Sequence, residues 1–112
     1  MTSSGDQDLS AFSMLDLFRQ EAAAQVEKLN HGLLSIERNP SDKGPYEALM
    51  RAAHSIKGAA RIVGIDAGVE IAHALEDCFV AAQKESITIR PESVDTLLAA
   101  VDMLLQMASA SE

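Results

Sequence analysis

Apolar residues spaced three and four apart constrain this chain most. They fall at Leu15, Phe18, Ala22, Val26, Leu29, Leu33 and Ile36, which makes one stripe along a helix. The same spacing returns at Val94, Leu97, Leu98, Val101, Leu104, Leu105 and Ala108. The period-two alternation of a half-buried strand occurs nowhere. No Trp, one Tyr and three Phe are too few aromatics for a strand-rich core, and abundant Ala and Leu favour helix.

Punctuation divides the pattern into four helices. The first is expected from about Ser13 to Arg38. It stops at Asn39-Pro40-Ser41-Asp42, because Pro40 cannot continue a helix and disfavours helical geometry at Asn39. The second is expected over Pro45–Val63, with proline at a first position where its missing N–H costs nothing. Gly64 can close it in the left-handed conformation. The third is expected from about Ala67 to Lys84 with Asp66 as N-cap. The fourth is expected from Pro91 to about Ala108. Gly64-Ile65-Asp66 leaves room only for a hairpin between the second and third. The expected fold is all-α, an antiparallel up-down four-helix bundle over residues 10–108. Residues 1–9, polar and acidic, are expected as a flexible leader, and 109–112 as a fraying tail. The 112 residues suit one domain, which can bury roughly two-thirds of its unfolded surface without disulfide or metal.

Charge narrows the partners. Nine Lys and Arg lie scattered among seventeen acids, for a net charge of −8, with no basic stripe for nucleic acid. Cys78 is the only cysteine, so an internal disulfide is excluded and a reducing compartment fits. No apolar run is expected to reach the ~20 residues of a membrane span, and the N-terminus lacks the basic and apolar regions of a signal peptide. The chain is therefore expected in the cytoplasm, with neither nucleic acid nor membrane as partner.

The second helix carries the chemistry. At 100° per residue, Leu49, Ala52, Ile56, Ala59, Ala60 and Val63 form its core face, and His54 falls almost opposite. Lys57, Gly58 and Arg61 follow three, four and seven residues later and share the His54 face. Histidine is a nucleophile whose neutral form is available near neutral pH. Lys57 can set an ammonium beside a phosphoryl group, and Arg61 adds a second cation. Glycine inside a helix costs about 1 kcal/mol relative to alanine. At Gly58 it removes the side chain that would crowd the imidazole, so another protein can approach closely. Taken as pattern alone, an ordinary solvated face is the commoner reading of this stripe, and Gly58 can equally mark close packing against a neighbouring helix.

The run Ala52-Ala53-His54-Ser55-Ile56-Lys57-Gly58-Ala59-Ala60, with Gly64 a few positions on, resembles the phosphorylation motif of histidine phosphotransfer (HPt) domains, in particular those at the N-terminus of chemotaxis-type histidine kinases. Ile71-Ala72-His73-Ala74-Leu75-Glu76-Asp77 resembles the family's next helix, with its His-x-x-Glu pattern. The resemblance covers roughly Leu15 to Lys84. It implies a two-component phosphorelay in which His54 takes a phosphoryl group from an ATP-bound kinase domain and passes it to a receiver-domain aspartate. It also implies that the ring nitrogen farther from the backbone is phosphorylated. The other nitrogen then keeps its proton and bonds Glu76, which orients the ring and fixes its tautomer. Lys57 then neutralises phosphoryl charge, Gly58 keeps the approach open, and His73 is a secondary polar neighbour. ATP and Mg²⁺ belong to the partner kinase domain, and no cofactor or metal is expected on this chain. On helical spacing, Val69, His73, Glu76 and Val80 form a stripe that can border the second helix, beside a core face of Gly68, Ile71, Leu75, Cys78, Phe79 and Ala82.

Arg61 departs from the family, where a small residue is common. The sequence has no nucleotide-binding module and no receiver, so the chain is not expected to be a kinase by itself. The resemblance leaves two forms open, a stand-alone carrier or a piece of a larger histidine kinase, and favours the second. Rival readings are a metal protein using His54, His73 and Glu76, which Lys57 opposes by repelling a cation, and a non-catalytic helical interaction bundle, which leaves the His54, Lys57 and Gly58 spacing as coincidence. His31 is expected to be structural or at the surface, and Cys78 a small buried hydrophobe.

Overall fold

A computed structural model describes the backbone of residues 3–110 and the side chains of residues 14–110. Four helices follow one another: α1 (Ser3–Arg38), α2 (Pro45–Val63), α3 (Asp66–Gln83) and α4 (Pro91–Ala110). Strands are absent among the described residues. Each helix packs on its chain neighbours and α1 closes the ring against α4, while the diagonal pairs make no close backbone approach. This is the expected up-down bundle.

The expected stripes form the core. Leu29, Leu33 and Ile36 of α1 are fully buried, as are Leu49 and Ile56 of α2, Phe79 of α3, and Val94 and Val101 of α4. Each such side chain contributes on the order of 1.5–3 kcal/mol. Phe18, Ala22, Ala60 and Ala108 form a smaller cluster at the other end, and Ala59 and Val63 pack against it. Two contacts escaped the sequence count: Tyr46 and Ala53 of α2 are buried too. Gly32 explains how α1 and α2 come so close, since a Cβ there would sit 2.7 Å from Leu49 Cδ2.

Helix ends differ from expectation in instructive ways. α1 begins ten residues before Ser13, so 3–9 of the expected leader are helical. Residues 1–2 of the leader and 111–112 of the tail lie outside the described residues. Asp66 is not an N-cap: Ile65 holds that position without a side-chain cap, and Asp66 opens the helix as an acid in its first turn. α4 runs through Ser109 and Ala110 of the expected tail, with Ser109 Oγ donating to Leu105 O at 3.1 Å. α2 closes at Gly64 as expected, at φ +77°, with Gly64 N–H donating to Arg61 O and Ile65 N–H to Ala60 O.

The expectation of no span-like run needs correction. α4 is by length and composition long and apolar enough to cross a membrane, with a mean hydropathy of 1.2. In the bundle it turns Val94, Val101, Leu104 and Ala108 inward, while Asp95 and Asp102 stay exposed.

Candidate functional site

Pro45 and Gly64 fix the ends of α2, and its core face fixes its rotation. His54 is thereby turned outward, with its side chain 66% exposed. The short hairpin lays α3 antiparallel beside α2 and brings Glu76 opposite. Glu76 Oε2 lies 2.9 Å from His54 Nδ1. With the proton on Nδ1, the imidazole donates and the carboxylate accepts. Nε2 has no hydrogen bond among the described residues. The ring is therefore oriented by one nitrogen and open at the other.

Lys57 does not stand free on the solvent face. Its Nζ donates to Glu76 Oε1 at 2.6 Å, and only 15% of its side chain is exposed. The helix explains this. Lys57 is three residues past His54, hence about 60° around the axis from it, on the side that meets α3. Glu76 thus joins both α2 residues, one to each oxygen. Burial alone pushes its carboxyl pKa up, but the hydrogen bonds from Lys57 and His54 outweigh that and hold it below its ordinary value. The acid is anionic and fixed.

Gly58 is where the sequence placed it. A Cβ there would meet nothing within 4 Å, so the space above α2 beyond His54 is open. Arg61 is exposed, and its side chain makes no hydrogen bond or ion pair among the described residues. His73 makes no hydrogen bond to the imidazole, and its Nε2 lies 3.4 Å from Asp77 Oδ2. His31 is exposed, and Cys78 is half-buried, its thiol pKa raised by burial. Among the described residues, no group of three or more His, Cys, Asp and Glu could hold a metal ion.

The structure adds residues that the sequence count passed over. His54 borders an open hollow of about 370 Å³ lined also by Met50, Arg51, Ser55 and Glu76. Helical side chains lean toward the N-terminus, so His54 covers the turn before it. Counting only forward from His54 missed that turn.

Comparison with known proteins bears on the family and the fold. The Hpt domain family matches residues 13–109. The chain is 34% identical over 94 residues to the chemotaxis protein CheA of Treponema pallidum, covering 84% of this chain and 12% of that protein. It is 35% identical over 92 residues to the gliding motility regulatory protein of Myxococcus xanthus, covering 82% and 12%. The chain therefore spans only a small part of these relatives' length. The solved CheA phosphotransferase domain from Thermotoga maritima superposes with a TM-score of 0.80 at 32% identity, covering 85% of this chain and 90% of that one. With an outward histidine tied by one ring nitrogen to a carboxylate on the next helix, and with matches that run through nearly the whole bundle, the chain belongs to the Hpt domain family and is homologous to the CheA phosphotransfer domains.

Proposed function

We propose that this domain carries a phosphoryl group on His54 Nε2 between a histidine-kinase catalytic domain and a receiver domain, as a module of a larger CheA-like kinase. The observation that carries the reading is the asymmetry of the imidazole: Nδ1 is held at 2.9 Å by Glu76 while the exposed ring leaves Nε2 free.

The chemistry follows from that asymmetry. Neutral His54 attacks the γ-phosphorus of ATP held with Mg²⁺ in the kinase domain. A P–N bond forms at Nε2, the bond to the β-phosphate oxygen breaks, and ADP leaves. The ring keeps its Nδ1 proton and becomes cationic, and the anionic Glu76 stabilises that charge as it develops. In the second step a receiver aspartate attacks the phosphorus, the P–N bond breaks, and its electron pair returns to Nε2. No proton has to move in either step. The partners supply positioning and metal electrostatics, as phosphoryl transfer demands. The ATP consumed points to the cytoplasm as the place of action.

The test is intact-mass analysis after incubation with ATP, Mg²⁺ and a kinase domain from the same pathway. One acid-labile phosphate is expected on the wild type and none on His54→Gln. Phosphate on both would move the site elsewhere. Phosphate on neither, with the kinase active on another domain, would favour a purely structural bundle.

A further inference from the structure

The sequence assigns the phosphoryl charge to Lys57, yet the geometry has already committed that ammonium to Glu76. Lys57 Nζ and Glu76 Oε1 are 2.6 Å apart, with both side chains more than four-fifths buried. The pair is locally neutral and stands on the Nδ1 side of the ring. Phosphorylation at Nε2 therefore brings two negative charges to a face whose nearest lysine is engaged, on a chain of net charge −8.

Arg51 stands on the other side. It precedes His54 by three residues, which puts it about 60° around the axis in the direction opposite to Lys57. The N-terminal lean of helical side chains carries the imidazole over this turn, and Arg51 and His54 line the same hollow of about 370 Å³ with Ser55. Among the described residues the guanidinium is held only by Glu47 one turn back, at 2.5 Å, in a pair whose side chains are 79% and 61% exposed. Such exposed pairs are weak and easily exchanged. Glu47 would not be stranded, because Lys28 of α1 lines the same groove as Glu47 and Arg51.

We propose that Arg51 is the residue that binds the phosphoryl group on His54, leaving Glu47 to contact the phosphoryl oxygens with its planar fork. The proposal rests on the phosphotransfer reading and adds a residue to it. Guanidinium suits the task, because it offers paired donors that match phosphoryl oxygens. Lys57 then sets Glu76, and Arg51 sets the phosphate, from opposite sides of one imidazole.

The test uses phosphoramidate, so that no partner protein enters. Nε2 attacks its phosphorus, the P–N bond to the departing nitrogen breaks, and ammonia leaves. Phospho-His54 is then titrated by ³¹P NMR in wild type, Arg51→Ala, Arg51→Lys and Lys84→Ala, the last an exposed cation at the far end of α3 that repeats the charge change. In Arg51→Ala the phosphoryl midpoint is expected to rise by roughly half a unit or more. The phosphorylation rate is expected to fall about tenfold, the worth of one charge-assisted hydrogen bond. Arg51→Lys should recover part of both, and Lys84→Ala neither. Circular dichroism melting of Arg51→Ala should match wild type. Equal midpoints in wild type and Arg51→Ala, or equal shifts in Arg51→Ala and Lys84→Ala, would overturn the proposal while leaving His54 as the carrier. Absence of phosphate on His54 from both phosphoramidate and kinase would instead bring down the phosphotransfer reading, and the proposal with it.

Discussion

Glu76 joins two α2 residues through its two oxygens, and that doubles what it can be asked to do. As a hydrogen-bond acceptor at Nδ1 it sets the tautomer that leaves Nε2 reactive. Glu76→Ala is therefore expected to slow His54 phosphorylation without unfolding the bundle. A preserved melting temperature with an unchanged rate would defeat that role. Its titration gives a second check. Its folded-state pKa lies below the ordinary 4.5, so the carboxylate adds stability above the unfolded value. That contribution is lost as pH falls through the lower folded value. Removing the ammonium with Lys57→Met leaves the burial and takes away a main opposing force. The Glu76 pKa is then expected to rise, and the acid-induced loss of stability to begin at higher pH. NMR titration of the Glu76 carboxyl carbon in both proteins measures this. Gly58 gives the complementary case, a residue whose value is what it omits. Since a Cβ there meets nothing within 4 Å, Gly58→Ala should raise stability by up to about 1 kcal/mol through helix propensity and leave transfer largely intact. Gly58→Gln should impede transfer. Urea unfolding and transfer rates, measured on both variants, separate the two effects.

At the scale of elements, local chemistry explains both what the sequence revealed and what it withheld. The ends of α2 were legible because Pro45 and Gly64 each do something no other residue does as well. So was the outward turn of His54, because six apolar positions fixed the opposite face. The N-terminal extension of α1 was not legible, since a polar helix turn and a polar leader have the same composition. The Lys57–Glu76 pair was hidden because it depends on how closely two helices approach, which a single-helix count cannot supply. The end of α3 shows the limit well. Glu85 N–H donates to Ala82 O and Ser86 N–H to Ala81 O, the double closure usually built on glycine. Here Glu85 holds it at φ +63°, and Lys43 Nζ reaches across from the α1–α2 loop to Ala82 O at 3.4 Å, supplying the cation that the last turn of α3 lacks. A left-handed glutamate is strained by roughly 1 kcal/mol, and its ion pair with Lys43, at 3.9 Å and well exposed, returns little. Glu85→Gly is expected to stabilise the domain by about 0.5–1 kcal/mol, read as a higher urea midpoint at unchanged slope.

Across the whole molecule, the ring of helices separates the site from part of its support. α2 and α3 carry the residues that bond the imidazole or line the hollow beside it, and α2 has α1 on its other flank. α4 packs on α1 and α3 but makes no close backbone approach to α2, which it meets only through side chains of the core. Stability and site geometry should therefore respond differently to cavities of similar size. Leu104 of α4 and Leu75 of α3 are both buried, at 2% and 3% exposure, and truncating either to alanine should cost about 2–5 kcal/mol. Leu104→Ala loosens the brace. Its phosphorylation rate by phosphoramidate, measured where the variant is still folded, should match wild type. Leu75→Ala removes the side chain next to Glu76 in the chain, so that α3 can shift against α2 and the 2.9 Å contact to Nδ1 can lengthen. Its rate should fall at equal folded fraction. Equal rates in the two variants would mean that the Glu76 contact is set by the Lys57 ion pair rather than by the packing of α3. Fixing His54 would then belong to three side chains instead of to the bundle.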